Sequence, residues 1–278
     1  MNKINISIYL VIILTSNFCF GQSKDFKGII DSITSINRIE HEYTGIAGKE
    51  GNNYKNFLKL KESASTKELV QLTKSSNPTL ACYASWGLAD NSYSELKSIF
   101  KQFLLENRRA ETFSGCILSE DFISSVLYHW YWNRIDVNER KNDKILQELD
   151  SIILFSDSVY WLLLTRALDN RIYSEPYKSQ IAKFAFDKGY DEAIFYLSNW
   201  HKAEYYDKIK YALIKYLNDT DFSTTGTTNY YKTVDELLKF KNKEINEIVI
   251  NKLKKDKHWK REKENFMYLL SMYSIYGL

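Results

Sequence analysis

Asn77-Pro78-Thr79-Leu80-Ala81-Cys82-Tyr83-Ala84-Ser85-Trp86-Gly87-Leu88 is the stretch on which the fold turns. Asn77 offers an N-cap and Pro78 a first-turn proline, which has no N–H to leave unpaired there. Leu80, Tyr83, Ala84, Gly87 and Leu88 follow at helical spacing, while Cys82, Trp86 and Ala89 occupy the opposite side. A helix apolar on both sides is not a surface helix, so the pattern predicts one sandwiched between neighbours. Just upstream, Ser65-Thr66-Lys67-Glu68 has the spacing of a capping box and opens another helix through Leu69, Val70 and Leu72.

Working outward, the same grammar recurs. Phe26, Ile29, Ile30, Ile33 and Ile36 predict a first amphipathic helix running to about Arg38–His41, and Thr44 to Tyr54, with Gly45, Gly48 and Gly51, reads as a loop. Lys49 lies in that loop, but no buried strand precedes it and no Ser or Thr follows it, which excludes a phosphate-binding loop. Further helices are expected around Ile123–Trp130, Ile145–Ile153, Val159–Leu168, Tyr177–Ala185 and Tyr205–Leu217. Asn218–Asn229 reads as an exposed break, and helices resume from Val234. Three segments fit Leu-x-Asp/Asn-x4-Glu: Leu88/Asp90/Glu95, Leu168/Asn170/Glu175 and Leu197/Asn199/Glu204. In each, Leu closes an apolar stripe, Asp or Asn tolerates the turn, and Glu complements the dipole of the next helix. Strand signals are absent on this reading, so the fold expected is all-α, an irregular α-solenoid of antiparallel helical hairpins.

The Pro-led, Ala- and Leu-rich segment 77–88 resembles the inner helix of HEAT repeats, over about residues 66–106 and more loosely over 158–218. Ala81 stands where that family carries Arg, and a tetratricopeptide-like pairing around Ala193–Leu217 is the competing description. The resemblance implies a scaffold for protein or peptide binding and brings no catalytic residues with it.

The N-terminus reads as a secretory signal peptide: Lys3 is the basic region, Ile8–Leu14 the apolar part, and Cys19-Phe20-Gly21 suits a cut before Gln22. The apolar part is too short for a transmembrane helix, and the mature chain is expected to be secreted or periplasmic. The expected organisation is therefore a signal peptide at 1–21, an N-terminal helix and Gly-containing loop at 22–64, and a helical-repeat domain at 65–278.

Composition narrows function chiefly by exclusion. The 278 residues are 44% hydrophobic and 26% charged with 10 Gly and 2 Pro, which excludes a disordered or collagen-like chain. Lys and Arg total 38 against 35 Asp and Glu, a net charge of +3 that makes no case for nucleic acid. Lys252–Lys263, basic but diluted by Asp256 and Glu262, reads as a solvated helix face, and Glu40-His41-Glu42 as a solvated helix end. Cys82 and Cys116 leave open either a disulfide between neighbouring hairpins or two ordinary buried thiols. No Cys/His spacing supports zinc, and no cofactor is expected.

Two aromatic features are candidates for a binding surface. Tyr128 and Trp132 stand one turn apart, either as a platform for a sugar or peptide or as packing against the next hairpin; Trp200 and His201 fall at an expected turn. The function expected is a non-enzymatic module for a protein or peptide partner, with a glycan as a further ligand class. The alternatives are an extracytoplasmic hydrolase built from distant acids and His41, and a structural envelope protein without a specific ligand.

Overall fold

A computed structural model describes residues 24–157, 159–221, 227–256 and 259–276, so the signal-peptide reading falls outside the described residues. Helix α1 (Lys24–Ile36) buries Phe26 and Ile33 and stops at Asn37, whose φ of 48° is left-handed. Asn is one of the few residues that tolerate that conformation at a helix end. Buried Asn53 completes the stop, its Nδ2 donating to the carbonyls of Ile33 (3.3 Å) and Arg38 (2.7 Å). The chain therefore leaves the helix before Arg38–His41 and enters strand β1 (Ile39–Thr44). Gly45 and Gly48, both at positive φ, turn it into the short β2 (Lys49–Glu50), so the expected loop is partly a hairpin.

Helices α2 (Asn52–Ser63), α3 (Thr66–Leu72) and α4 (Pro78–Asp90) follow. The capping box forms: the Glu68 N–H donates to Ser65 Oγ, and the Ser65 N–H donates to the Glu68 carboxylate. Asn77 caps α4, and Thr79 through Ala89 are all buried as α4 packs on α1, α2, α3 and the strands. Strands β3 (Arg109–Gly115) and β4 (Ile117–Phe122) complete a sheet of order β2-β1-β3-β4, in which β1 and β3 are parallel and the other pairs antiparallel. The chain is thus mostly helical but not all-α, and this mixed sheet corrects that expectation. Phe57 stacks on Tyr83 (5.3 Å), with Trp86 edge-on to both, and each such ring buried contributes on the order of 2–3 kcal/mol. The Tyr83 hydroxyl clasps β1, accepting from the Glu40 N–H (2.7 Å) and donating to the Glu40 carbonyl (3.0 Å).

The parallel pairing of β1 with β3 draws residues 106–123 into this first unit, which otherwise comprises the chain up to Tyr93. The second unit is Ser94–Leu105 with Ser124–Leu278. Its helices are α5 (Leu96–Glu106), α6 (Ile123–Arg134), α7 (Lys144–Leu154), α8 (Trp161–Asp169), α9 (Tyr177–Phe186) and α10 (Asp191–Trp200). After them come α11 (Tyr206–Asp219), α12 (Thr227–Leu238), α13 (Lys243–Lys255), a 3-10 turn (Trp259–Glu262) and α14 (Lys263–Met272). The expected break at Asn218–Asn229 is therefore shorter, because α12 begins at Thr227.

Contacts in this unit follow chain order. α7 packs on α8 and α9, α8 on α10, α9 on α10 and α11, α10 on α11 and α12, α11 on α12 and α13, and α12 on α13 and α14. The recurrent motif marks two of the junctions: Glu175 precedes α9, Glu204 precedes α11, and Lys178 binds both carboxylates (3.4 and 2.8 Å). Among the described residues, no helix is long and apolar enough to cross a membrane.

Candidate functional site

The aromatic pair singled out on α6 separates into two different environments. Tyr128 is fully buried and so cannot serve a surface; its hydroxyl donates to Asp150 Oδ1 on α7 (2.6 Å). Asp150, 1% exposed, also accepts from Asn170 Nδ2 (3.0 Å to each oxygen) and from Arg171 Nη2 (2.8 Å), with the Tyr173 hydroxyl at 3.1 Å. Burial pushes this carboxyl up to about 6 despite the donors and the cation, which pull the other way. The knot joins α6, α7 and the α8–α9 junction and is structural in character.

Trp132 is half-buried. Its indole N–H donates to Asn170 Oδ1 (2.8 Å), and its ring carries two guanidinium groups, Arg140 at 3.3 Å and Arg166 at 4.6 Å from the centroid. The ring is covered by cations and is not an open stacking platform. Sequence reading missed Arg140, Arg166 and Arg171 because they come from a turn, a helix and a junction that no local pattern links.

Trp200 ends α10 and is 54% exposed, and His201 caps the same helix, its N–H donating to the Leu197 carbonyl (2.8 Å). The His201 ring lies against Tyr196 (5.9 Å) rather than toward solvent. Trp200 lines a cavity of about 310 Å³ together with Asp169 of α8, Arg171, Glu192 and Asn199 of α10, and Lys232 of α12. Burial and the neighbouring Asp191 push the Glu192 carboxyl up. Asp191 is itself held by the Tyr216 hydroxyl (3.0 Å) and Asn229 Nδ2 (2.7 Å). Burial likewise raises Asp169, against the pull of Arg166 and Lys232. One cavity thus offers two acids, cations and the face of a half-exposed indole, a mixed set suited to a polar ligand with a flat or apolar part. A larger hollow, about 600 Å³, lies beside α9 and α11 against Phe186, Ile194 and Tyr211, and none of the expected residues lines it.

His41 stands on β1 of the first unit rather than at a helix end. It is half-buried, its ring 5.2 Å from Trp86, and desolvation lowers its basicity. Glu40 beside it is buried and bound by Arg38 (2.6 Å), while Glu42 is exposed, so the expected solvated end is a strand on which only Glu42 of the three stays in solvent. Among the described residues, no group of three or more His, Cys, Asp or Glu is placed to hold a metal ion. Cys82 and Cys116 are free thiols: the first is sealed inside α4, where burial raises its pKa, and the second is exposed between β3 and β4. The disulfide therefore does not form, one partner being in the core and the other at the surface.

Compared with protein-family models, with curated proteins and with solved structures, the chain finds no match.

Proposed function

We propose that this protein is a non-enzymatic, exported helical-repeat module, an irregular α-solenoid that binds a protein or peptide segment across α8, α10 and α12. Helices that pack on the next and the next but one are what stacked hairpins produce, and this supports the solenoid reading. The reading of Lys3 to Gly21 as a signal peptide supports export. The observation that carries the proposal is the cavity shared by these three helices, with Trp200 half-exposed at one wall and Lys232 and Asp169 within it. An exposed indole among polar groups is the kind of anchor around which binding energy concentrates.

The test is affinity capture with the chain from Gln22 onward, using envelope extract and quantitative mass spectrometry. Trp200→Ala with Lys232→Glu should lose a stoichiometric partner that Tyr211→Ala, on α11, retains. Equal recovery by both variants, or recovery of no partner by the unaltered chain, overturns the reading. A second reading, hydrolysis by an acid pair, is favoured by Glu192, whose basicity burial raises, sharing a cavity with Asp169. Turnover of glycan or peptide substrates that Glu192→Gln abolishes would replace the first reading with this one.

A further inference from the structure

The cations on Trp132 have too few acids. Arg140 makes no ion pair among the described residues, and Arg166 reaches one carboxylate, Asp169, at 3.9 Å, a contact between groups 38% and 58% exposed. Pairs that long and that exposed are weak. The Nε atoms of both arginines are buried without a hydrogen-bond partner among the described residues. Arg171 is different: its Nη2 is committed to Asp150 (2.8 Å) and to the Arg140 carbonyl (3.3 Å), and the latter contact ties down the backbone that presents Arg140. Trp132 is equally fixed, because Asn170, which accepts from its indole N–H, is locked by the Asp150 knot. Two guanidinium groups at 3.3 and 4.6 Å from one ring centroid can be no more than about 8 Å apart, so they repel each other on a rigid platform.

We infer that Arg140 and Arg166 form a site for an oxyanion, a carboxylate, phosphate or sulfate group that bridges their planar N–H forks. Guanidinium forks match two oxygens of such a group, and an anion between them converts mutual repulsion into attraction. Preorganisation comes from Trp132, Asn170 and Arg171, so little ordering is left for the ligand to impose. The inference stands on these side chains and not on the reading of α8, α10 and α12 as a docking face. A site for a small anion can exist whether or not a larger partner does, and failure of one is separable from failure of the other.

The test follows the indole N–H resonance of Trp132 in ¹⁵N-labelled full chain, assigned by its disappearance in Trp132→Phe. The probes are inorganic phosphate, inorganic sulfate and N-acetylglutamate, each at constant ionic strength. At least one should shift the resonance saturably, and which of them binds tightest identifies the oxyanion. Arg140→Lys and Arg166→Lys, which keep the charge and lose the fork, should each weaken that binding about tenfold. Arg109→Gln, which removes an equal charge from β3, should leave it unchanged. Non-saturating shifts equal to those of sodium chloride for all three probes, or undiminished affinity in both lysine variants, would overturn the inference.

Discussion

Replacing Asp150 by Asn tests the buried knot most directly, because two opposing effects must be weighed. The carboxyl rises from 3.8 to about 6, which at about 1.4 kcal/mol per unit sets roughly 3 kcal/mol against its ionised form at neutral pH. Asn relieves that cost. It also turns one acceptor oxygen into a donor facing Asn170, Arg171 or Tyr173, and it leaves Arg171, 15% exposed, without its counter-ion. Orphaned buried donors cost about 1–3 kcal/mol each, and breaking a buried ion pair from one side costs about 3–5 kcal/mol in all. The loss wins, and Asp150→Asn should be less stable by about 3 kcal/mol at pH 7, read by urea unfolding. The pH dependence supplies a second check. Asp150 binds its proton more tightly folded than unfolded, so its contribution is greatest below pH 3.8 and declines as pH rises to about 6. The variant lacks this decline, and its deficit should be wider at pH 4.5 than at pH 7. A variant as stable as the parent at pH 7, or a deficit that grows with pH, refutes the reasoning.

Three further outcomes are expected. Tyr83→Phe leaves the Glu40 N–H and carbonyl without the hydroxyl that serves both, and should lower urea stability by about 1–3 kcal/mol without changing helix content by circular dichroism. Gly51→Ala places a Cβ 2.8 Å from both Glu40 Cβ and the His41 carbonyl, so β1 and the start of α2 must part; a loss of about 1–3 kcal/mol is expected in the same assay. A thiol reagent should modify Cys116 in the folded chain and reach Cys82 only after unfolding, as peptide mapping would show; prompt labelling of Cys82 would contradict the burial of α4.

Helices were legible in the sequence wherever their ends carried chemistry. Ser65 with Glu68, and Asn77 with Pro78, mark α3 and α4 where the capping bonds form. The sheet was not legible because its strands do not alternate apolar with polar. β1 buries Ile39, Glu40 and Thr44; β3 turns Ala110 and Thr112 inward; β4 has no buried residue. Glu40 is buried because Arg38 two positions before it and the Asn53 N–H thirteen positions on hold its carboxylate, while Tyr83 holds its backbone; the last two partners lie beyond any local pattern. At the candidate site, the exposure of Trp200 was legible because it ends a helix where the chain turns. Of the two environments open to Tyr128 the structure has packing, set by a hydrogen bond to Asp150 twenty-two positions away. Arg140 and Arg166 gave no local signal at all.

The parallel pairing of β1 with β3 also bears on synthesis. Arg38 and Glu111, which meet beside it, are 73 positions apart, and the chain visits the second unit at Ser94–Leu105 before returning. A nascent chain that has emerged only as far as α4 therefore exposes β1 with one edge unpaired, and truncation after Tyr93 deletes half of a sheet instead of trimming a tail. Any fragment intended to report on the first unit by itself has to run through Ile123.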